Sequence, residues 1–425
     1  SNLSRQIILS MTSNTAETST VETRDVVAAK LPARRCVSID VYRGMVMFLM
    51  LAEVLHWSGL VRYRGRLSST AQSLLDTIVF HTSHVPWRGC SLHDLIQPGF
   101  SFLVGAALAF SFAKRSEQGQ SYRAMLIHAI GRSLILVFFG IFLRSLGKMY
   151  TNFTFDDTLT QIGLGYTFLF LFAGRKWYVP ALGAGAILVG YWALFAFSQL
   201  PAPDFDYASV GVPANWPHHE EGFGAHWNKN SNVAWAFDVW WMNLFFREEP
   251  FAYSSGGYCT LSFIPTLATM LLGLVAGEWL RADWTLKRRF AHFATATVVC
   301  LSIAWGLEAA GLCPIVKRIW TPTWTLWSGG LCFAWLFLLY LICDFGNSTR
   351  WAFFFRVIGA NSIVAYTMSW TMEEWTKLAL RRHFDWLIER VVPQPVETLV
   401  YGGLVLTVFW LILYWLYRQK IFVRI

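Results

Sequence analysis

Apolar stretches of membrane length recur from about residue 38 to residue 417, and Lys or Arg gathers at their ends. A chain built this way must satisfy its backbone hydrogen bonds inside each segment, because hydrocarbon offers none. Segments of this length read as membrane-spanning helices. Composition agrees: 55% of the 425 residues are hydrophobic and 14% are charged, against about 25% charged in soluble domains. The 22 tryptophans suit the two membrane interfaces.

Read in order, the chain opens with residues 1–33, polar and without helical periodicity, which reads as a disordered cytoplasmic tail. Ten spans follow, at about 38–60, 94–113, 124–146, 158–173, 178–198, 260–280, 290–311, 323–343, 352–371 and 397–417. The expected fold is therefore an all-α polytopic membrane protein, a bundle of about ten transmembrane helices over residues 34–425. A cytoplasmic N-terminus places Lys114, Arg115, Arg123, Arg175, Lys176, Arg281, Lys287, Arg288, Arg289, Arg350, Arg418, Lys420 and Arg424 on the cytoplasmic side, as the positive-inside rule asks. Arg62, Arg64, Arg66, Arg381 and Arg382 fall on the other side and weaken the asymmetry. The net charge of +9 is thus an orientation signal, and no nucleic-acid partner is implied. The seven cysteines show no CxxC spacing and imply no disulfide framework.

One long segment outside the spans, about 199–257, carries Trp216, Trp227, Trp235, Trp240 and Trp241 and the string HHEEGFGAHWNKNSN. Loops of this length are functional or disordered, and the tryptophans favour an extracytoplasmic insert with a function. Trp227 is a candidate to stack on a sugar face; interfacial packing is the plainer reading.

The chemistry concentrates between His81 and Asp94, where His81, His84, Trp87, Arg88 and His93 lead into the second span. Ionisable groups at such a lip are costly unless used. Ser91 and Asp94 form a capping-box pattern that starts the helix. Asp94 could also orient His84 as a base, the usual pairing of carboxylate and imidazole. Spacing alone leaves cap and catalytic partner equally open. Glu53-x-x-His56 with His81 and His84 offers metal-ligand types, but the spacing is common by chance and no metal is expected. His128 and Arg132 face the bundle interior. Arg43 near the start of the first span is a candidate for a phosphate, with an ion pair to Asp40 as the plainer role.

Six stretches in order resemble the heparan-α-glucosaminide N-acetyltransferase family: SIDVYRG at 38–44, HVPWRG with Asp94 ten residues after His84, LTQIGLGY at 159–166, LSFIPTLATMLLGLVAGEWLR at 261–281, PIVKRIWTPTW at 314–324 and GANSIVAYTMSW at 359–370. The resemblance implies acetyl-CoA as donor and co-substrate, an amino sugar or glycan as acceptor, and His84 as the catalytic histidine with Asp94 as its acid. The family asparagine near the end of the first span has no match here; Glu53 or Val54 stands at that depth and Glu53 is the expected third catalytic group. On this reading Arg43, Arg132, Trp87 and Arg88 serve acetyl-CoA, and Lys317, Trp320, Asn361 and Trp227 serve the acceptor. The insert resembles that of bacterial-type members, which implies the bacterial inner membrane, with a homodimer as the assembly to test for. The rival classes are a sugar permease, which would carry inverted repeats that the sequence lacks, and O-acetylation of a surface glycan.

Overall fold

The structure, a computed structural model, describes residues 36–423; the expected tail at 1–33 lies outside them. The described residues form fourteen α-helices: α1 (Val37–Leu51), α2 (Ser69–His81), α3 (Ile96–Glu117), α4 (Tyr122–Ser145), α5 (Thr158–Leu171), α6 (Tyr178–Ala196), α7 (Val233–Met242), α8 (Phe263–Arg281), α9 (Leu286–Ala309), α10 (Pro322–Leu339), α11 (Phe353–Ala360), α12 (Ser362–Thr371), α13 (Glu373–Val391) and α14 (Gln394–Arg418). The described residues contain no strand, and an isolated antiparallel bridge joins Arg88 to Val316. The protein is an all-α polytopic membrane protein.

Seven of the ten expected spans are helices long and apolar enough to cross a bilayer: His93–Glu117, Tyr122–Ser145, Tyr178–Ala196, Thr260–Arg281, Leu286–Ala309, Pro322–Phe345 and Val396–Arg418. The other three depart from a straight span, each for a local reason. The first ends its α-helix at Leu51, tightens into a 3-10 turn and bends by 51° at His56. His56 there has φ 46°, a left-handed conformation that no helix continues through. The fourth, α5, is a short apolar helix of 14 residues. The ninth is broken between α11 and α12 at Asn361, whose amide is spent on the C-terminal segment.

α8 is the most enclosed of the seven spans and packs on α3, α5, α6 and α10. Its approach to α3 depends on glycine: a Cβ on Gly105 would collide with the Met270 carbonyl, and one on Gly273 with that of Phe102. Small residues at helix crossings are how membrane helices gain contact without a hydrophobic driving force between them. α3 is therefore held rigidly, and with it the polar loop at its N-terminal end.

The insert is an ordered structure pinned by asparagines. Asn228 exchanges hydrogen bonds with the Glu220 backbone (2.9 and 2.8 Å), Asn230 donates to the carbonyls of Val210 and Ser254 (both 2.9 Å), and Asn232 caps α7 by accepting from the Ala234 and Trp235 amides (both 3.0 Å). Trp87, Tyr191, Phe195, Trp227, Cys259, Cys313, Val316 and Ile319 form one core that joins the insert to the His84 loop and the 310–321 loop.

Candidate active site

The expected capping box forms. Ser91 N donates to Asp94 Oδ2 (3.1 Å), and Asp94 N donates back to Ser91 Oγ (3.3 Å). The Ser91 hydroxyl (2.9 Å) and Val85 N (3.3 Å) also donate to Oδ2. All of this engages one carboxylate oxygen and leaves the other free for chemistry. Asp94 Oδ1 lies 2.8 Å from His84 Nδ1 and 3.3 Å from Lys317 Nζ. Asp94, 0% exposed, is thus both cap and histidine partner, one role per oxygen.

That geometry selects the tautomer. A carboxylate and an unprotonated ring nitrogen would repel at 2.8 Å, so Nδ1 carries the hydrogen and donates it to Oδ1. Lys317 Nζ also lies 3.0 Å from Nδ1, but an N–H does not accept, so the ammonium pairs with Oδ1. Nε2 of His84 is left bare, as a base requires. Burial, foremost, draws the His84 imidazole below its ordinary pKa; the Asp94 bond opposes this, and the charges of Lys317 and His93 add to the depression. Burial likewise lowers the Lys317 ammonium, against the pull of Asp94. The resting imidazole is neutral and its side chain is 36% exposed, open on one side.

Two further groups complete the site. The His93 ring packs 4.4 Å from that of His84, and its Nε2 lies 2.7 Å from Glu53 Oε1. Glu53 sits in the 3-10 turn before the His56 bend, and its side chain is 53% exposed. Glu53, His84 and His93 each bring a potential ligand atom within 4.8 Å of one another, and two imidazoles with a carboxylate are a set that zinc accepts. The same arrangement serves equally as a proton acceptor beside an anionic anchor, and the nearby Lys317 charge disfavours a resident cation.

The sequence-predicted residues thus divide. His84, Asp94 and Glu53 come together, and Lys317, grouped with acceptor binding by sequence, joins them as the partner of Asp94. His93 is the member that sequence reasoning left out; its signal was its place beside Asp94, at the same lip as His84. Trp87, 1% exposed, supports the loop from beneath. Both ends of the Arg88 guanidinium are taken, by Glu220 and Glu308, so it ties the insert and α9 to the loop. Trp320 has φ 48° and donates through Nε1 to Thr269 Oγ1 (3.1 Å), in the turn that presents Lys317.

Three residues lie apart from the cluster. Trp227 is 1% exposed and stacks on Phe195 (4.7 Å, 7°), a placement that does not fit stacking on a sugar. Asn361 is buried and clamps the C-terminal segment, donating to the Ile421 carbonyl and accepting from Val423 N (both 3.0 Å), far in role from an acceptor. Arg132 covers the Tyr166 ring (4.5 Å) and donates to its hydroxyl (3.1 Å), inside the α4–α5 pair.

At the other end of α1, Arg43 lies 3.8 Å from Asp40. Asp40, Arg356, Arg418, Lys420, Tyr414 and Tyr417 line part of a cavity of about 640 Å³ there. Its cations and aromatic rings suit a phosphorylated, planar-ringed ligand.

No family model matches the chain. Over 434 residues it is 24% identical to heparan-alpha-glucosaminide N-acetyltransferase of Homo sapiens, covering 91% of this chain and 59% of that protein. The Mus musculus protein of the same name is 23% identical over 438 residues, covering 92% of this chain and 61% of its own length. The chain therefore spans about three-fifths of these curated relatives. The name both relatives bear is that of the family its six motifs resemble.

Proposed function

We propose that this protein is a transmembrane acetyltransferase that moves the acetyl group of acetyl-CoA to the amine of an amino sugar on the opposite side of the bilayer. The observation that carries the reading is the His84–Asp94 pair, 2.8 Å apart, with the carboxylate sealed from water. Glu53 attracts the arriving ammonium, which sheds one proton to water to become the free amine. The amine nitrogen attacks the thioester carbonyl carbon, and bare Nε2 of His84 takes the second proton. Asp94 stabilises the imidazolium through Nδ1, and Lys317 keeps Asp94 ionised and aligned. The carbon–sulfur bond breaks, His84 returns its proton to the thiolate, and free CoA and the N-acetyl product leave.

The donor reaches the site along α1. Asp40 and Glu53 are thirteen positions apart, about 20 Å of helix. The nucleotide end of acetyl-CoA is assigned to the Arg356–Arg418 cavity beside Arg43, on the cytoplasmic side together with both termini, and its thioester to His84. Direct transfer is favoured over an acetyl-histidine, because both substrates reach one site from opposite ends.

The test is transfer of labelled acetyl from acetyl-CoA to glucosamine by the purified protein in detergent. His84→Ala should abolish it while acetyl-CoA binding persists. Full activity in His84→Ala, or sugar uptake into vesicles without any transfer, would overturn the reading. Label trapped on His84 with acetyl-CoA alone would replace the direct route by a two-step one.

A further inference from the structure

Lys229, in the insert, is 8% exposed. Its stem packs against Gly257, where a Cβ would come within 3.1 Å of Lys229 Cγ and 2.7 Å of the Trp87 ring. Gly257 has φ 74°, so both its conformation and its surroundings require glycine. The Lys229 ammonium lies 5.0 Å from the centre of the Trp216 ring. Among the described residues it makes no hydrogen bond and no ion pair.

Arg318 stands on the other side of the same turn. It donates to the Gly256 carbonyl (2.9 Å) and to the Val85 carbonyl (3.3 Å), and its guanidinium covers the Tyr258 ring at 5.0 Å. A Cβ on Gly256 would come within 2.9 Å of Arg318 Nη1. Among the described residues no carboxylate pairs with it, and its Nε is buried without an acceptor, as is Nε1 of Trp216.

Cations drawn out of bulk water in folded proteins are usually paired, and such pairs occur elsewhere in this region. Lys317 has Asp94, and Arg88 has two glutamates. Among the described residues neither Lys229 nor the partly buried Arg318 pairs with a carboxylate, and the two glycines let the turn pack closely against both side chains. Carbonyl dipoles and ring faces offset part of a full charge and leave the rest uncompensated. Burial, and next the charge of Arg318, draw Lys229 below its ordinary pKa; an anion between the two would relieve both. Arg318 follows Lys317 in the chain and bonds the residue after His84, so the place adjoins the reacting groups.

We propose that Lys229 and Arg318, flanking the Gly256–Gly257 turn, form a binding site for an oxyanion (a carboxylate, sulfate or phosphate group), either free in solution or carried on the acceptor. The acceptor version rests on the acetyltransfer reading; the binding site itself does not.

The purified full chain is titrated with sodium sulfate and with sodium phosphate at constant ionic strength, following its melting temperature and the heat of binding. Wild type should bind, and Lys229→Met and Arg318→Gln should each bind about tenfold more weakly or worse, the loss expected for one charge-assisted contact. Lys229→Met keeps the buried stem and removes the uncompensated charge, so its melting temperature without anion should stay at or above the wild-type value. A wild-type protein indifferent to both anions overturns the proposal, as do variants that bind like wild type. A lowered melting temperature in Lys229→Met with unchanged anion response would make Lys229 a packing residue and also overturn it. A second arm compares glucosamine with glucosamine 6-sulfate as acceptors. A lower KM for the sulfated sugar, lost in both variants, places the anion on the acceptor; equal KM values with anion binding intact assign the site to a free anion. A chain that binds sulfate but transfers no acetyl group sinks the acetyltransfer reading and leaves this one standing.

Discussion

Glu53 Oε1 lies 2.7 Å from His93 Nε2, so the bend that ends the first span and the cap that starts the second meet in one contact. Glu53 is half-exposed there and can also meet a cationic substrate. Glu53→Gln keeps a hydrogen-bonding partner for His93 and removes the charge. The expected result is a rise of about tenfold in KM for the amine acceptor, the scale of a charge-assisted contact, with kcat changed far less. Steady-state kinetics at fixed acetyl-CoA decide this, and an unchanged acceptor KM removes Glu53 from substrate capture.

Asp94 divides its oxygens between the helix cap and His84, so its two roles separate in one variant. Asn at this position can still accept from Ser91 through its carbonyl oxygen. It leaves Lys317 buried beside a neutral group, a cost of about 1–3 kcal/mol. It also no longer selects the tautomer with bare Nε2, and the rate should fall by about two to four orders of magnitude. Rates are to be expressed per folded molecule, with melting curves alongside. A stability loss with an intact rate would reduce Asp94 to a cap.

Lys317 supplies a pH prediction whose sign follows from the geometry. Transfer needs neutral His84, so activity is lost as pH falls through the pKa of its ring. Burial and the Lys317 charge hold that pKa below its ordinary value. In Lys317→Met the pull of Asp94 is no longer opposed by that charge, and the acid limb of kcat/KM should move to higher pH. The linked stability runs the same way. The unfolded chain protonates His84 first as pH drops, so the contribution of this group to stability is present above its ordinary pKa and is lost below it. An acid limb that stays fixed or moves to lower pH contradicts the arrangement.

How much of this was legible beforehand depended on whether the signal was local. The capping box at Ser91–Asp94 and the His84–Asp94 pairing lie within eleven residues, and the expected spans coincide with helices wherever one apolar run continues unbroken. The bend at His56 left no such mark, because a left-handed residue is required by the tertiary path and not by composition. Asn361 shows the opposite case. A polar amide inside an apolar run looks like a ligand contact, yet its partners are Ile421 and Val423, some sixty residues away. The placement of Lys317 beside Asp94 and of Trp227 on Phe195 left no mark in the sequence for the same reason: which side of a loop a residue faces is decided by contacts remote in sequence.

Asn361 accordingly carries a stability prediction and no kinetic one. Asn361→Ala strands the Ile421 carbonyl and the Val423 amide, at about 1–3 kcal/mol. The melting temperature should fall while the acceptor KM stays at wild type. A selective rise in acceptor KM with unchanged stability would return Asn361 to the acceptor site.

The donor side is tested at the opposite end of α1. Arg356, Arg418 and Lys420 share one cavity with Tyr414 and Tyr417, and Arg43 stands beside it, one helical turn from Asp40. Phosphates held by several guanidinium groups are lost in steps, each contact contributing about 1.5–3 kcal/mol. Arg356→Gln and Arg43→Ala should therefore raise the dissociation constant of acetyl-CoA by about tenfold or more and leave the affinity for the amine acceptor alone. Calorimetry with CoA and with dephospho-CoA separates the phosphates: a variant that weakens CoA but not dephospho-CoA has lost the partner of the ribose phosphate. Unchanged CoA affinity in both variants would remove this cavity from the donor path and require acetyl-CoA to reach His84 from elsewhere.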